Sequence, residues 1–206
     1  MPGASADDDA QGAGTGSGAL AGVQRATAIA ILAALSIVIA VLEATTLPGI
    51  PLPGVKYGLG NIPLLFGIGL VGFGDLVAIA LLRIGIAGLL TGGLNVMNLA
   101  LSIGGTAAAL GVVGLAGRAR ARALGPRAPL FTLATIGTLM AAAHVTAQIA
   151  LASVILHAPA VFSYLPVAGT ASALTGFVGG ALAELVRKRL AARGMYSHDS
   201  KAGNES

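Results

Sequence analysis

From Ala26 to Gly117 the only charged side chains are Glu43, Lys56, Asp75 and Arg83. Apolar runs of that kind leave a chain few options. About 20 consecutive apolar residues cross a hydrocarbon core of about 30 Å as a helix. Across the whole chain 10% of residues are charged and 55% are hydrophobic, whereas soluble domains carry about 25% charged residues. The sequence therefore reads as an all-α integral membrane protein. Cysteine is absent, which excludes disulfides and thiolate metal sites. Three scattered histidines argue against zinc. No cofactor, metal or nucleic-acid partner is expected.

Composition divides the chain into a membrane domain, residues 25–190, between polar tails at 1–24 and 191–206. The first tail is rich in Ala, Gly, Ser and Asp, with Asp7, Asp8 and Asp9 in a row, and is expected to be disordered and cytoplasmic. Its acidic start does not suit a signal peptide. The second tail is also expected to be disordered.

Six spans are predicted. The first runs from about Ala26 to Leu47, with Arg25 at its inner end. The second, Asn61 to Gly72, is short for a crossing and must tilt, recruit loop residues or dip in as a half-helix. The third covers Asp75 to Leu90, with Asp75 suited to the first turn of a helix. The others cover Asn95 to Gly117, Leu130 to Leu156 and Ala160 to about Val186. Lys56 falls in a connection and Arg83 inside a span. The other ten of the twelve Lys and Arg residues cluster before the first span, after the fourth and after the sixth. That bias places both termini in the cytoplasm and the protein in the cell membrane.

Between the first two spans lies LPGIPLPGVKYGLGNIP, Leu47 to Pro63. Pro48, Pro51, Pro53 and Pro63 bar a regular helix there. Irregular backbone at a bilayer is tolerated where protein buries it or it lines a watery cavity. The stretch is read as a structured loop over the outer end of the bundle.

Polar residues within the spans are costly and mark functional sites or internal pairs. Arg83 either pairs with Glu43 or faces a ligand, and the second is favoured. Asn95, Asn98 and Ser102 share a helix face. His144 and Gln148 lie one turn apart. The candidate ligand-binding set is Lys56, Asn61, Arg83, Asn98, His144 and Gln148, with no catalytic residue. Lys56 and Arg83 against Glu43 favour an anionic or zwitterionic ligand. Ala26, Ala30 and Ala34 form a small-residue stripe that allows close helix approach, either inside the bundle or by a partner subunit. Gly176 and Gly180 are read as internal packing.

PGVKYGLGN (Pro53 to Asn61), LLRIGIAGLLTG (Leu81 to Gly92) and AHVTAQ (Ala143 to Gln148) resemble the Gx transporter family, also labelled heptaprenyl diphosphate synthase component I. Gly60 stands where alanine is expected. The likeness covers roughly Ala26 to Arg189. The family is similar to the substrate-binding S components of energy-coupling-factor (ECF) vitamin transporters. That likeness implies a six-transmembrane-helix bundle and a ligand site capped by the loop after the first helix. It also implies an Ala-x-x-x-Ala face docking a transmembrane coupling subunit that works with ATPases. Ala26, Ala30 and Ala34 match that face.

The synthase label meets a chemical obstacle. Prenyl diphosphate synthases use clustered aspartates to hold Mg²⁺, and the only acids in the spans and their connections are Glu43, Asp75 and Glu184. No Walker A lysine loop is present to power transport. The leading expectation is a membrane binding and transport component for a small molecule. The alternative is an accessory subunit of polyprenyl diphosphate or quinone-linked metabolism.

Overall fold

The computed structural model describes residues 6–46, 55–119 and 132–192. Five helices are long and apolar enough to cross a membrane, with apolar windows Gly22–Thr46, Phe73–Leu90, Val96–Arg118, Leu133–Ile155 and Pro159–Leu190. Helix α1 is Ala6–Thr46, so it begins inside the stretch that composition marks as a tail. The short α2 is Ile62–Gly67 and α3 is Phe73–Leu90. Helices α4, α5 and α6 are Val96–Ala119, Leu133–Ile155 and Leu165–Ala192. No strand occurs among the described residues.

The second span, expected at Asn61 to Gly72 to tilt, recruit loop residues or dip in as a half-helix, contains only the short α2 after a 3₁₀ turn. A six-residue helix rises only about 9 Å, so α2 cannot cross a bilayer by itself. The segment nonetheless runs along α1 from Glu43 to Arg25. Gly58 and Gly60 lie at Glu43, the Gly60 carbonyl meets Ser36, and Gly67 packs against Leu32. After the turn, Asp75 meets Arg25. The segment thus descends α1 from Glu43 to Arg25 as irregular backbone, a 3₁₀ turn (Leu59–Asn61), α2 and a turn.

Such a path works only if its backbone polar groups find partners inside the protein. Lys56 N–H donates to Gln148 Oε1 (3.0 Å), and Gly58 N–H to Glu43 Oε1 (2.8 Å). The carbonyls of Tyr57 and Gly60 accept from the Ser172 and Ser36 hydroxyls at 2.7 and 2.6 Å. Several polar residues of α1, α5 and α6 therefore serve the segment's backbone.

Helices α5 and α6 pack closely. Gly137 and Gly176 face each other, and Gly180 lies over the Leu133 carbonyl, with no room for a Cβ at any of the three. The Gly176/Gly180 pair is internal packing, as read from sequence. One apolar core, including Leu64, Ile79, Leu110, Ile136 and Met140, lies towards the Arg25 end. A second, around Leu101, Val145 and Ile149, lies towards the Lys56 end. Between these two layers of packing sits a polar cluster.

Candidate binding site

The cluster is assembled around Arg83, which is 5% exposed. Its guanidinium donates from Nη1 to Asn61 Oδ1 and from Nη2 to Thr106 Oγ1, each at 2.8 Å. These neutral acceptors replace the Glu43 ion pair considered from sequence. Among the described residues the ion pairs are Arg25–Asp75 and Glu184–Lys188. Glu43 is buried and uses its carboxylate on the Gly58 and Gly60 amides, at 2.8 and 3.4 Å.

Arg83 also settles the orientations around it. Because Asn61 Oδ1 accepts from Arg83, Asn61 Nδ2 must donate, and it lies 3.1 Å from His144 Nδ1. That nitrogen is then the acceptor, so His144 is a neutral imidazole with its proton on Nε2. Protonating Nδ1 would set two N–H groups against each other. Gly58 adopts φ +82° beside this pair, and a Cβ there would meet the His144 ring at 3.0 Å. Glycine is required both for the left-handed backbone and for the space. At Gly60, the position where alanine was expected, a Cβ would stand 2.9 Å from Arg83 Nη1.

A cavity of about 40 Å³ opens beside this cluster, lined in part by Glu43, Lys56, Arg83, Asn98, His144 and Gln148. Five of the six candidate binding residues line it, and Asn61 braces it from behind through Arg83 and His144. Among the described residues, half-buried Lys56 carries the only side-chain charge outside the helices. Burial pushes its ammonium below the ordinary lysine range, opposed by nearby Glu43 and reinforced by Arg83. With Glu43 ionised, Lys56 and Arg83 leave one net positive charge around the space. At 10–15 Å³ per water, the cavity holds about three waters, or a group of a few heavy atoms.

Some assignments shift. Asn95 is an N-cap, accepting the Asn98 N–H at 2.8 Å. Thr106, Ser36 and Ser172 were not singled out from sequence, since a lone hydroxyl in an apolar run usually bonds its own helix. Residues 47–54, with Pro48, Pro51 and Pro53 of the expected cap, lie outside the described residues. So do Arg120, Arg122 and Arg127. Ala26, Ala30 and Ala34 are all exposed on the outside of the bundle, beside Val23, Ile31 and Val38. Among the described residues no group of three His, Asp or Glu side chains could hold a metal ion.

The sequence profile of the family described as heptaprenyl diphosphate synthase component I matches residues 32–186. The chain belongs to that family. The match runs from the middle of α1 to the last turns of α6 and includes every candidate binding residue. Neither a curated protein nor a solved structure matches the chain. In this family member the buried Arg83–Asn61–His144 hydrogen-bonded chain is held by α3, α5 and the irregular segment, and α1 and α4 complete the cavity lining.

Proposed function

We propose that the chain is a membrane-embedded, non-catalytic binding component that takes a small anionic or zwitterionic molecule in the cavity beside Arg83 and works with separate subunits. The observation that carries this reading is a buried guanidinium bonded to neutral oxygens only. A buried cation without a carboxylate partner is costly, and an anion in the adjoining cavity would offset that cost. The cavity is narrow, so anything larger than a headgroup would enter only as segment 55–61 lifts away.

Two settings fit such a component. The family description favours the first: an accessory subunit of polyprenyl diphosphate synthesis, with the chemistry performed elsewhere. In the second the chain acts like an ECF S component, delivering its ligand through a coupling subunit and ATPases. The exposed face of Ala26, Ala30 and Ala34 supports docking of a partner helix in either setting. The proposed topology has six passes, the second irregular, with both termini cytoplasmic in the cell membrane. Arg25, Arg118, Arg187 and Lys188 gather at one end, as the positive-inside bias requires.

The test is purification of the full chain from native membranes, with mass spectrometry of its associated proteins and small molecules. A bound anion is the expected result. A prenyltransferase partner supports the first setting, and a coupling subunit with ATPases the second. Ala30→Trp should remove either partner while leaving the isolated chain folded. Recovery with neither a small molecule nor a partner would sink the reading.

A further inference from the structure

Two buried polar atoms of the cavity lining have no hydrogen-bond partner: Gln148 Nε2 and Asn98 Oδ1. Gln148 is 0% exposed. Its amide orientation is fixed, because Oε1 accepts from the Lys56 N–H at 3.0 Å, so the nitrogen is a free donor. On α4, the Asn98 amide nitrogen lies on the Gly93 side, where a Cβ on Gly93 would stand 2.8 Å from it. Its oxygen is the buried free acceptor. Native interiors leave few such atoms without a partner.

The two orphans are of opposite kind. Arg83, Lys56 and Gln148 Nε2 all donate, and would hold the oxygens of an anionic group. Asn98 Oδ1 only accepts. An anion with nothing but acceptor oxygens would leave it unpaired or face it with like partial charge.

Resting on the binding reading above, we infer that the ligand is a small anion carrying an N–H or O–H donor beside its charged group, with Asn98 as the residue that selects for that donor. A hydroxy acid or an amino acid has that pattern. Sulfate, and a prenyl diphosphate at mildly alkaline pH, present only acceptors. The small volume of the cavity agrees with a compact headgroup and leaves no room for a prenyl chain.

The experiment uses the full chain in lipid nanodiscs and follows its thermal unfolding midpoint against concentration of defined probes. Acetate and glycolate differ by one hydroxyl, and acetate and glycine by one ammonium. Sulfate and, at mildly alkaline pH, farnesyl diphosphate are the acceptor-only probes. Glycolate or glycine should half-saturate at about a tenfold lower concentration than acetate, the effect of one buried hydrogen bond. In Asn98→Ala that preference should vanish, glycolate and glycine falling back to the response of acetate. Asn98→Ser, too short to reach the donor, replaces it should the alanine variant not fold. Equal response to acetate, glycolate and glycine overturns the inference, as does a preference that survives in the variants. A tighter response to sulfate or farnesyl diphosphate overturns it while leaving an anion site in place. No response to any anion overturns the binding reading as well.

Discussion

Arg83→Met separates a binding cation from a structural one. The wild-type guanidinium makes two 2.8 Å hydrogen bonds, to Asn61 and Thr106, and is almost fully buried. Methionine keeps the length of the side chain and removes the charge. Two opposing effects then act on stability. Asn61 Oδ1 loses its donor, at a cost of about 1–3 kcal/mol, whereas the Thr106 hydroxyl can rotate to another partner. Against this, a guanidinium no longer has to be desolvated, which is worth several kcal/mol in a low-dielectric interior. The net change in unfolding free energy should stay within about 2 kcal/mol of zero. Anion binding has no such offset. Losing a charge-assisted hydrogen bond should weaken it by about 2 kcal/mol, or roughly thirtyfold in Kd. Arg83→Lys should recover only part, because one ammonium cannot span Asn61 and Thr106 as the planar fork does. The assays are thermal unfolding in nanodiscs and retention of the co-purifying small molecule. The reasoning is refuted if Arg83→Met costs about 3–5 kcal/mol and adding Glu43→Leu restores the fold. That pattern belongs to a broken buried ion pair. The structure leads to the opposite expectation, since removing Glu43 strips the Gly58 and Gly60 amides of their acceptor.

Glu43→Gln should loosen the irregular segment without unfolding the bundle. One of its two backbone bonds is lost, at a cost of about 1–3 kcal/mol, and faster hydrogen exchange at Gly58 and Gly60 would show it. Gly176→Leu should fail to fold or lose the α5–α6 contact, because even a Cβ there would strike the Gly137 carbonyl; detergent-resistant protease protection reads the outcome, and normal protection would contradict the packing. Single cysteines in this cysteine-free chain test topology. A membrane-impermeant thiol reagent on whole cells should label Leu94→Cys and not Arg189→Cys, and the reverse pattern would invert the orientation.

The sequence by itself determined the solvent the protein lives in. Charges are so sparse between Ala26 and Gly117 that only a bilayer-spanning architecture suits them. Apolar length also placed the long helices: Asp75 to Leu90 and Leu130 to Leu156 are close to the observed Phe73–Leu90 and Leu133–Ile155. The cost of a buried polar group is a local property, and so Arg83, His144 and Gln148 could be marked before any fold was known. Partners are not local. Arg83 was weighed against Glu43 because opposite charges are the obvious match, yet the fold gives it Asn61 and Thr106 and turns Glu43 onto backbone amides. Only tertiary structure decided that the segment at 55–61 is irregular, because an unwound stretch of chain is acceptable when residues far away in sequence, Ser36, Gln148 and Ser172, arrive to satisfy it. The same three-dimensional closure left Gln148 Nε2 and Asn98 Oδ1 without partners, a vacancy that no reading of spacing along one helix can reveal.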